Sequence, residues 1–389
     1  MNILVALAVA GFCSALSVRI LDPMIPAIAR EFAADPKTAA LLATAFALPY
    51  AIGQPILGPL GDAIGKARII KWCLAVIAIT LAICAIATSL ETLFVARIVM
   101  GLAAGGVIPM SFAIIGDRFT MADRQVALSQ VLGAILTGGV AGGFVAGLIG
   151  PAYGWRTVLW LLAAVSAAVF FVTASGLRAR ADAVRKPFTV AGIRSGLQQV
   201  FANPRAVVCF AAVFLEGIAI YGLMPYLAVI LEETKTGSMR EAGFIIAGFG
   251  LGGVLFTMVV RRLLSWYGDS FGLMRAGGYG CAAALVLFAL VAAWPVKVVA
   301  FIAVGFAFYM LHNSLQTQAT ELAPSARGSA VSMHAFSFFL GHAVGAPLFG
   351  FSHDRFGTTT AILMCAALIA AVGVTTATLL QARSEPRSA

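Results

Sequence analysis

The sequence predicts an all-α membrane protein of twelve transmembrane helices arranged as two pseudo-symmetric six-helix bundles. Three observations predict it. Hydrophobic residues make up 61% of the 389-residue chain and charged residues 11%, with a mean hydropathy of +0.98, whereas a soluble domain carries about 25% charged residues. Apolar stretches recur along the whole length at about the 20 residues needed to cross a bilayer core about 30 Å thick. The longest hydrophilic stretch, about residues 177–205, falls near mid-chain.

The spans read at 3–29, 38–60, 70–89, 92–114, 126–149 and 156–176 in the first half. They read at 206–231, 242–262, 273–293, 297–318, 329–350 and 359–381 in the second. The first stretch lacks a basic leader region and is followed by eleven more apolar spans, so it is expected to be span 1 and not a signal peptide. An even number of crossings puts both termini on one side. Seventeen Lys and Arg residues fall in loops on that side and seven on the other, with Arg19 and Arg97 inside spans. The bias predicts cytoplasmic termini in a cell inner membrane.

The halves are expected to divide as residues 1–176 and 206–389, joined by a cytoplasmic linker at 177–205. A weak repeat agrees: Arg124-Gln-Val-Ala-Leu-Ser129 after span 4 is echoed by Arg327-Gly-Ser-Ala-Val-Ser332 after span 10.

Several function classes drop out. The net charge of +10 is spread through short loops and forms no single basic patch, which argues against nucleic acid. Cys13, Cys73, Cys84, Cys209, Cys281 and Cys365 lie in apolar stretches without C-x-x-C spacing and read as packing residues. His312, His334, His342 and His353 lack metal-site spacing. No phosphate-binding G-x-x-x-x-G-K-[ST] segment occurs, so chemistry driven by nucleotide hydrolysis is not expected. No cofactor and no enzymatic activity are expected.

Polar residues inside spans carry the functional signal, because an ionisable side chain in hydrocarbon costs at least about 2.5–3.5 kcal/mol and needs a cavity or a partner. Span 1 contains Arg19-Ile-Leu-Asp22-Pro-Met-Ile-Pro26. Arg19 and Asp22 stand three apart on one helical face, where an ion pair is easy. A carboxylate withdrawn from water favours its protonated form, and a nearby guanidinium favours the ionised one. A cavity that opens to alternate sides could therefore load and unload a proton. Glu216 in span 7 is the second protonation candidate, and Arg97 in span 4 is expected to face a cavity or a partner. Tyr309, His312, Asn313 and Gln316 form a stripe on span 10, and Tyr50 and Gln54 stand one turn apart on span 2. Each can serve as a substrate contact or as interhelical glue.

Four segments carry a family resemblance. Gly58-Pro-Leu60-Gly-Asp62-Ala-Ile-Gly65-Lys66-Ala-Arg68 after span 2 resembles the signature loop of the major facilitator superfamily, with Ala63 and Ala67 at two positions that are usually basic. Its glycines permit a tight turn, and Asp62 can accept hydrogen bonds from a facing helix or pair with a basic residue. Gly58, Asp62, Gly65, Lys66 and Arg68, together with Arg118 at the end of span 4, are the expected gating residues. Arg97-Ile-Val-Met-Gly101-Leu-Ala-Ala-Gly105 resembles the family's span 4 motif. The glycines of span 5, with Gly138, Gly142 and Gly143 as further gating candidates, resemble the motif of its antiporter branches, although Gly139 replaces the usual proline. The Asp22 stretch looks like that of drug/proton antiporters with the same acid-to-proline spacing.

The resemblance implies the major facilitator fold, with spans 1, 4, 7 and 10 lining a central cavity. It also implies a secondary active transporter that exports a small, amphipathic molecule in exchange for protons by alternating access. Asp22 would carry the proton, tuned by Arg19 and Arg97, and Asp62 would latch the halves. The expected partners are a small-molecule substrate, protons and the lipid bilayer, with the protein a monomer as superfamily members commonly are. Two alternatives stay open: a proton-coupled symporter that imports a metabolite, and a non-transporting membrane sensor on the same fold.

Overall fold

In the computed structural model, residues 3–119, 121–177 and 189–383 are described, apart from the side chains at 58, 59, 62, 121–126 and 129. Twelve helices are long and apolar enough to cross a membrane, and no strand occurs among the described residues. The spans overrun the predicted apolar cores: span 4 is Leu90–Arg118 and span 11 is Arg327–Phe356. Hydropathy marks the hydrocarbon segment, while helix continues into the interface.

Two local expectations are corrected, and the linker gains a described element. The segment after span 2 is not an extended loop, because helix runs Pro36–Ile64 and the next begins at Lys66. Gly65 alone makes the turn, at φ +107°, a conformation that L side chains rarely adopt. The described part of the linker contains a helix, Val190–Phe201, whose Ser325 contact through Gln199 (2.8 Å) ties it to the second half. Spans 1 and 7 are not continuous α-helices. Span 1 runs Ile3–Val18, turns through a 3₁₀ segment at Asp22–Met24 and resumes at Ile25–Glu31. Span 7 runs Arg205–Glu216, widens to a π turn at Gly217–Tyr221 and tightens at Met224–Tyr226 before Leu227–Glu233. Pro23, Pro26 and Pro225 lack the N–H that would close the preceding turn.

The two halves repeat each other in packing detail. A Cβ on Gly101 of span 4 would run into the carbonyl of Phe46 on span 2, and one on Gly305 of span 10 into that of Phe249 on span 8. Gly138 of span 5 meets the Phe12 carbonyl of span 1 in the same way, and Gly341 of span 11 the Phe214 carbonyl of span 7. Equivalent positions lie 202 to 204 residues apart. Small residues are what allow helices to associate closely where no hydrophobic force drives them together. Two large apolar clusters result. One draws on residues 6–177 with Met239, and the other on residues 200–380 with Ile25, Ala29, Ala39 and Ala40.

Three seams join the halves. Span 5 meets span 8, where a Cβ on Gly147 would lie 2.7 Å from Cα of Gly243. Span 2 meets span 11 through Thr44 Oγ1, which donates to the Ala343 carbonyl at 2.8 Å, and through Tyr50 stacked on Phe339 at 3.8 Å. Span 1 meets span 7 through Arg19 over the Tyr221 ring (4.0 Å) and Arg30 Nη1 to Glu232 Oε2 (2.6 Å). Both of these pairs are 202 apart, so equivalent positions touch and the pseudo-two-fold axis runs between spans 1 and 7. Arg30–Glu232 and a Lys37–Asp354 ion pair hold the halves together at the face opposite the termini.

Gly101→Ala and Gly305→Ala should each cost about 1–3 kcal/mol through overpacking, read as a lowered melting temperature in detergent. Gly139→Ala, which meets nothing within 4 Å, should instead gain up to about 1 kcal/mol. Indistinguishable melting of all three would refute the close backbone contacts.

Candidate transport site at the breaks in spans 1 and 7

The break in span 1 strands backbone carbonyls inside the bundle. Leu21 and Asp22 no longer donate to residues 17 and 18, because Asp22 N turns to the Arg19 carbonyl at 3.2 Å. Arg97 supplies the missing donors: its Nη1 reaches the Ser17 carbonyl at 3.0 Å and its Nη2 that of Val18 at 3.3 Å, while its Nε reaches the Leu42 carbonyl of span 2 at 3.4 Å. Its guanidinium also lies 4.2 Å from the Phe46 ring centroid, a cation–π arrangement. At 1% exposure it does not snorkel. Arg97 is therefore a cap for a broken helix, and its hydrogen bonds go to backbone oxygens and the Met100 sulfur instead of to Asp22.

Asp22 and Arg19 are both buried, and Arg19 Nη1 donates to Asp22 Oδ2 at 2.9 Å. The pair sits on the axis, covered from the other half by Tyr221. Nη2 of Arg19 is buried and has no partner among the described residues. Such a donor costs about 1–3 kcal/mol while unsatisfied, so this guanidinium is held by only part of its hydrogen-bonding capacity.

A second polar cluster faces the first across Tyr221. Glu216 is fully buried at the last position before the π turn, and its Oε1 hydrogen-bonds Nδ1 of His312 on span 10. His312 lies against Phe338 (ring centroids 4.9 Å) and His334 (5.1 Å), and Phe338 lies against Tyr221 (4.8 Å). His342 borders Tyr221 at 5.3 Å with neither ring nitrogen partnered among the described residues. Spans 1, 7, 10 and 11 thus converge on one aromatic and ionisable centre. The pairing of Glu216 with His312 carried no signal in the sequence, since it joins residues 96 apart on helices whose rotation periodicity does not fix.

The remaining expected residues divide. Tyr309 joins the centre at its edge, with its ring 5.3 Å from Phe308 and 6.3 Å from His312, and Asn313 is partly buried. Gln316 is exposed and stands apart from the cluster. Tyr50 is buried in the span 2–span 11 seam, while Gln54 Nε2 donates to the Gly105 carbonyl at 3.0 Å and binds span 2 to span 4.

Among the gating candidates, Lys66 Nζ pairs with Asp117 Oδ2 at 2.7 Å, joining span 3 to the end of span 4. Arg68 and Arg118 are exposed, and the side chain of Asp62 lies outside the described residues, as does that of Gly58. Gly138 and Gly142 pack on span 1, whereas Gly143 packs on Ile246 of span 8 in the seam between halves. No group of three or more His, Cys, Asp or Glu among the described residues is disposed to hold a metal ion.

A sequence profile of the Major Facilitator Superfamily matches residues 7–346. The chain is similar to the MFS-type transporter YwfA of Bacillus subtilis (strain 168), at 25% identity over 93% of this chain and 88% of that one. It is also similar to Multidrug resistance protein 1 of the same organism, at 21% identity over 88% of this chain and 87% of the relative. A crystal structure of the nucleoside transporter NupG (D323A mutant) superposes with a TM-score of 0.79, covering 99% of this chain and 100% of that one at 17% identity. That likeness shows a shared fold.

Replacing Arg97 tests the cap. Arg97→Met should lose at least about 1–3 kcal/mol by leaving buried carbonyls unsatisfied, with a correspondingly lower melting temperature, and Arg97→Lys should recover part of it. A methionine variant that melts with the parent protein removes the role.

Proposed function

We propose, for a chain that belongs to the Major Facilitator Superfamily, that it exports a small amphipathic molecule in exchange for protons by alternating access. The observation that carries the reading is the Arg19–Asp22 pair: a carboxylate and a guanidinium buried together on the axis, at a break in span 1, against a ring from the other half. Ion pairs taken out of water stay favourable only while their geometry is complete. Reorienting the halves moves Tyr221 relative to Arg19, which changes the cover over the pair and the balance between ionised and protonated Asp22.

The cycle follows from those groups. The face opposite the termini is held closed by Arg30–Glu232 and Lys37–Asp354, so this state belongs to the half of the cycle that serves the termini side, which the charge bias of the loops assigns to the cytoplasm. A proton on Asp22 leaves toward that side, Arg19 re-forms its pair, and cargo enters. Opening the opposite face then exposes the pair, Asp22 takes up a proton, and cargo departs. Residues 1–176 and 206–389 act as the moving units of a monomer in a cell inner membrane, with 177–205 as their tether. Export is supported by the likeness to Multidrug resistance protein 1. An amphipathic cargo fits the rings of Tyr221, Phe338, Tyr309 and Phe308 around the ionisable groups.

Proteoliposomes that are acid inside should accumulate ethidium, an amphipathic test cargo, and lose protons as they do so. A symporter would accumulate it only when the outside is acid. Asp22→Asn should fold as the parent does, yet lose about tenfold or more in gradient-driven uptake, the factor carried by about 1.4 kcal/mol. Undiminished gradient-driven uptake by that variant would rule out Asp22 as the coupling group.

A further inference from the structure

We propose that Glu216, His312 and His334 form a second proton-binding site, housed in the second half and separate from the Asp22–Arg19 pair. The inference deepens the exchange reading above and rests on it. Glu216 is 0% exposed and shares a hydrogen bond through Oε1 with His312 Nδ1, while its Oε2 is buried without a partner among the described residues. His334, on span 11, meets the His312 ring edge-on at 5.1 Å, and its Nε2 is buried and unpartnered in the same way. The three side chains come from three different spans. Together they make a hydrogen-bonded carboxyl–imidazole pair with a second imidazole packed edge-on against it, and Glu216 Oε2 and His334 Nε2 are left without partners among the described residues.

Charge decides what such a chain holds. An ionised Glu216 beside a neutral His312 leaves one negative charge in a place where burying an ion costs several kcal/mol. One added proton makes the pair neutral, either as carboxylic acid with imidazole or as carboxylate with imidazolium. Passing between these forms breaks an O–H bond as an N–H bond is made, and no charge leaves the pair. Glu216 Oε2 is the unpartnered atom of the pair at which the proton enters or leaves, with the His334 imidazole packed beside the pair.

Among the described residues, no second carboxyl hydrogen-bonds or ion-pairs with the Glu216–His312 pair. Titratable neighbours are Cys209 and Tyr221 on span 7, Cys281 on span 9, Tyr309 on span 10 and His342 on span 11, with Arg19 beyond Tyr221. Span 12, which also packs on span 7, carries Cys365 as its sole titratable side chain. Arg19 is the fixed charge in this group, and its Nη1 is committed to Asp22. A carrier built this way holds one proton site in each half, on either side of Tyr221, and exchanges two protons per cycle.

The test uses purified full-length protein in detergent without cargo, followed by infrared difference spectra between about pH 8 and pH 3, which bracket the ordinary carboxyl and imidazole ranges. Asp22→Asn should retain a band from a protonated buried carboxyl, and Asp22→Asn with Glu216→Gln should lose it. His312→Gln and His334→Gln, each added to Asp22→Asn, should displace the midpoint of that band by about one pH unit or more. Identical spectra for the single variant and the Glu216→Gln double variant would overturn the site, and a midpoint indifferent to both histidines would overturn the shared unit. If Glu216→Gln fails to fold, Glu216→Asp keeps the carboxyl and must shift the band instead; an unshifted band counts against the proposal. Loss of an Asp22 band between parent and Asp22→Asn reads the other site alone, so either assignment can fail while the other stands.

Discussion

The interaction on which the rest of the structure depends is the grip of Arg97 on the open carbonyls of span 1. A helix in lipid has no water to satisfy a broken turn, so a break is tolerated only where protein supplies donors. Arg97 supplies them to Ser17 and Val18, and its Nε is anchored on the Leu42 carbonyl of span 2. With those oxygens satisfied, the chain is free to leave α-helical geometry at Asp22–Met24 and to turn the Arg19–Asp22 pair onto the axis between the halves. A charge that costs several kcal/mol to bury in span 4 thereby offsets the cost of the break in span 1, and the break gives the ionisable pair its place.

Much of the fold was legible because it rests on local or compositional signals. Hydrocarbon thickness sets span length, so twelve apolar stretches announce twelve helices. The three-residue spacing of Arg19 and Asp22 puts them within reach on any helical turn, and they lie 2.9 Å apart even though the α-helix ends at Val18 and Asp22 opens the 3₁₀ segment. The breaks themselves were half written in Pro23, Pro26 and Pro225, but proline alone does not say whether a helix kinks or stops. What remained illegible depends on rotation about helix axes. His312 and Gln316 share a stripe on span 10, yet one hydrogen-bonds Glu216 and the other is exposed. Gln54 looks like a cavity residue and is consumed by the Gly105 carbonyl. The acidic signature residue Asp62 follows Gly61 in a helix that ends only at Ile64, because the turn needed a single glycine in a left-handed conformation and Gly65 provides it.

Duplication explains the scaffold and not the chemistry. Glycines at 101 and 305, and at 138 and 341, clear space for equivalent carbonyls, so the backbone packing of one half is restated in the other. The ionisable groups do not follow. Position 22 is aspartate in the first half, and its equivalent 202 residues later is Met224; Glu216 corresponds to Ser14. Each half keeps a broken first span, which P-containing turns and a π segment achieve by different local geometry. The broken spans are the shared inheritance, and each half places its carboxylate at a different depth beside its own break.

The axis adds a constraint that ordinary surface positions escape. In a perfect duplicate, a residue on the pseudo-two-fold axis faces its own copy, so a charge there would face the same charge at contact distance. Two guanidinium groups at positions 19 and 221, or two at 30 and 232, would repel across the seam that has to close. The chain has an arginine against a tyrosine in the first case and an arginine against a glutamate in the second. Like-charge juxtaposition thus becomes a cation–π contact at mid-depth and an ion pair at the rim. The rim pair is solvated and weak, which suits a contact that must part in every cycle. The mid-depth pair is buried and leaves Arg19 with one unpartnered nitrogen, so its balance is set by whatever the opposing half presents. Divergence of the two halves on the axis is therefore a physical condition for closing the seam, and it fixes Arg19 as the buried charge most sensitive to how the halves are oriented.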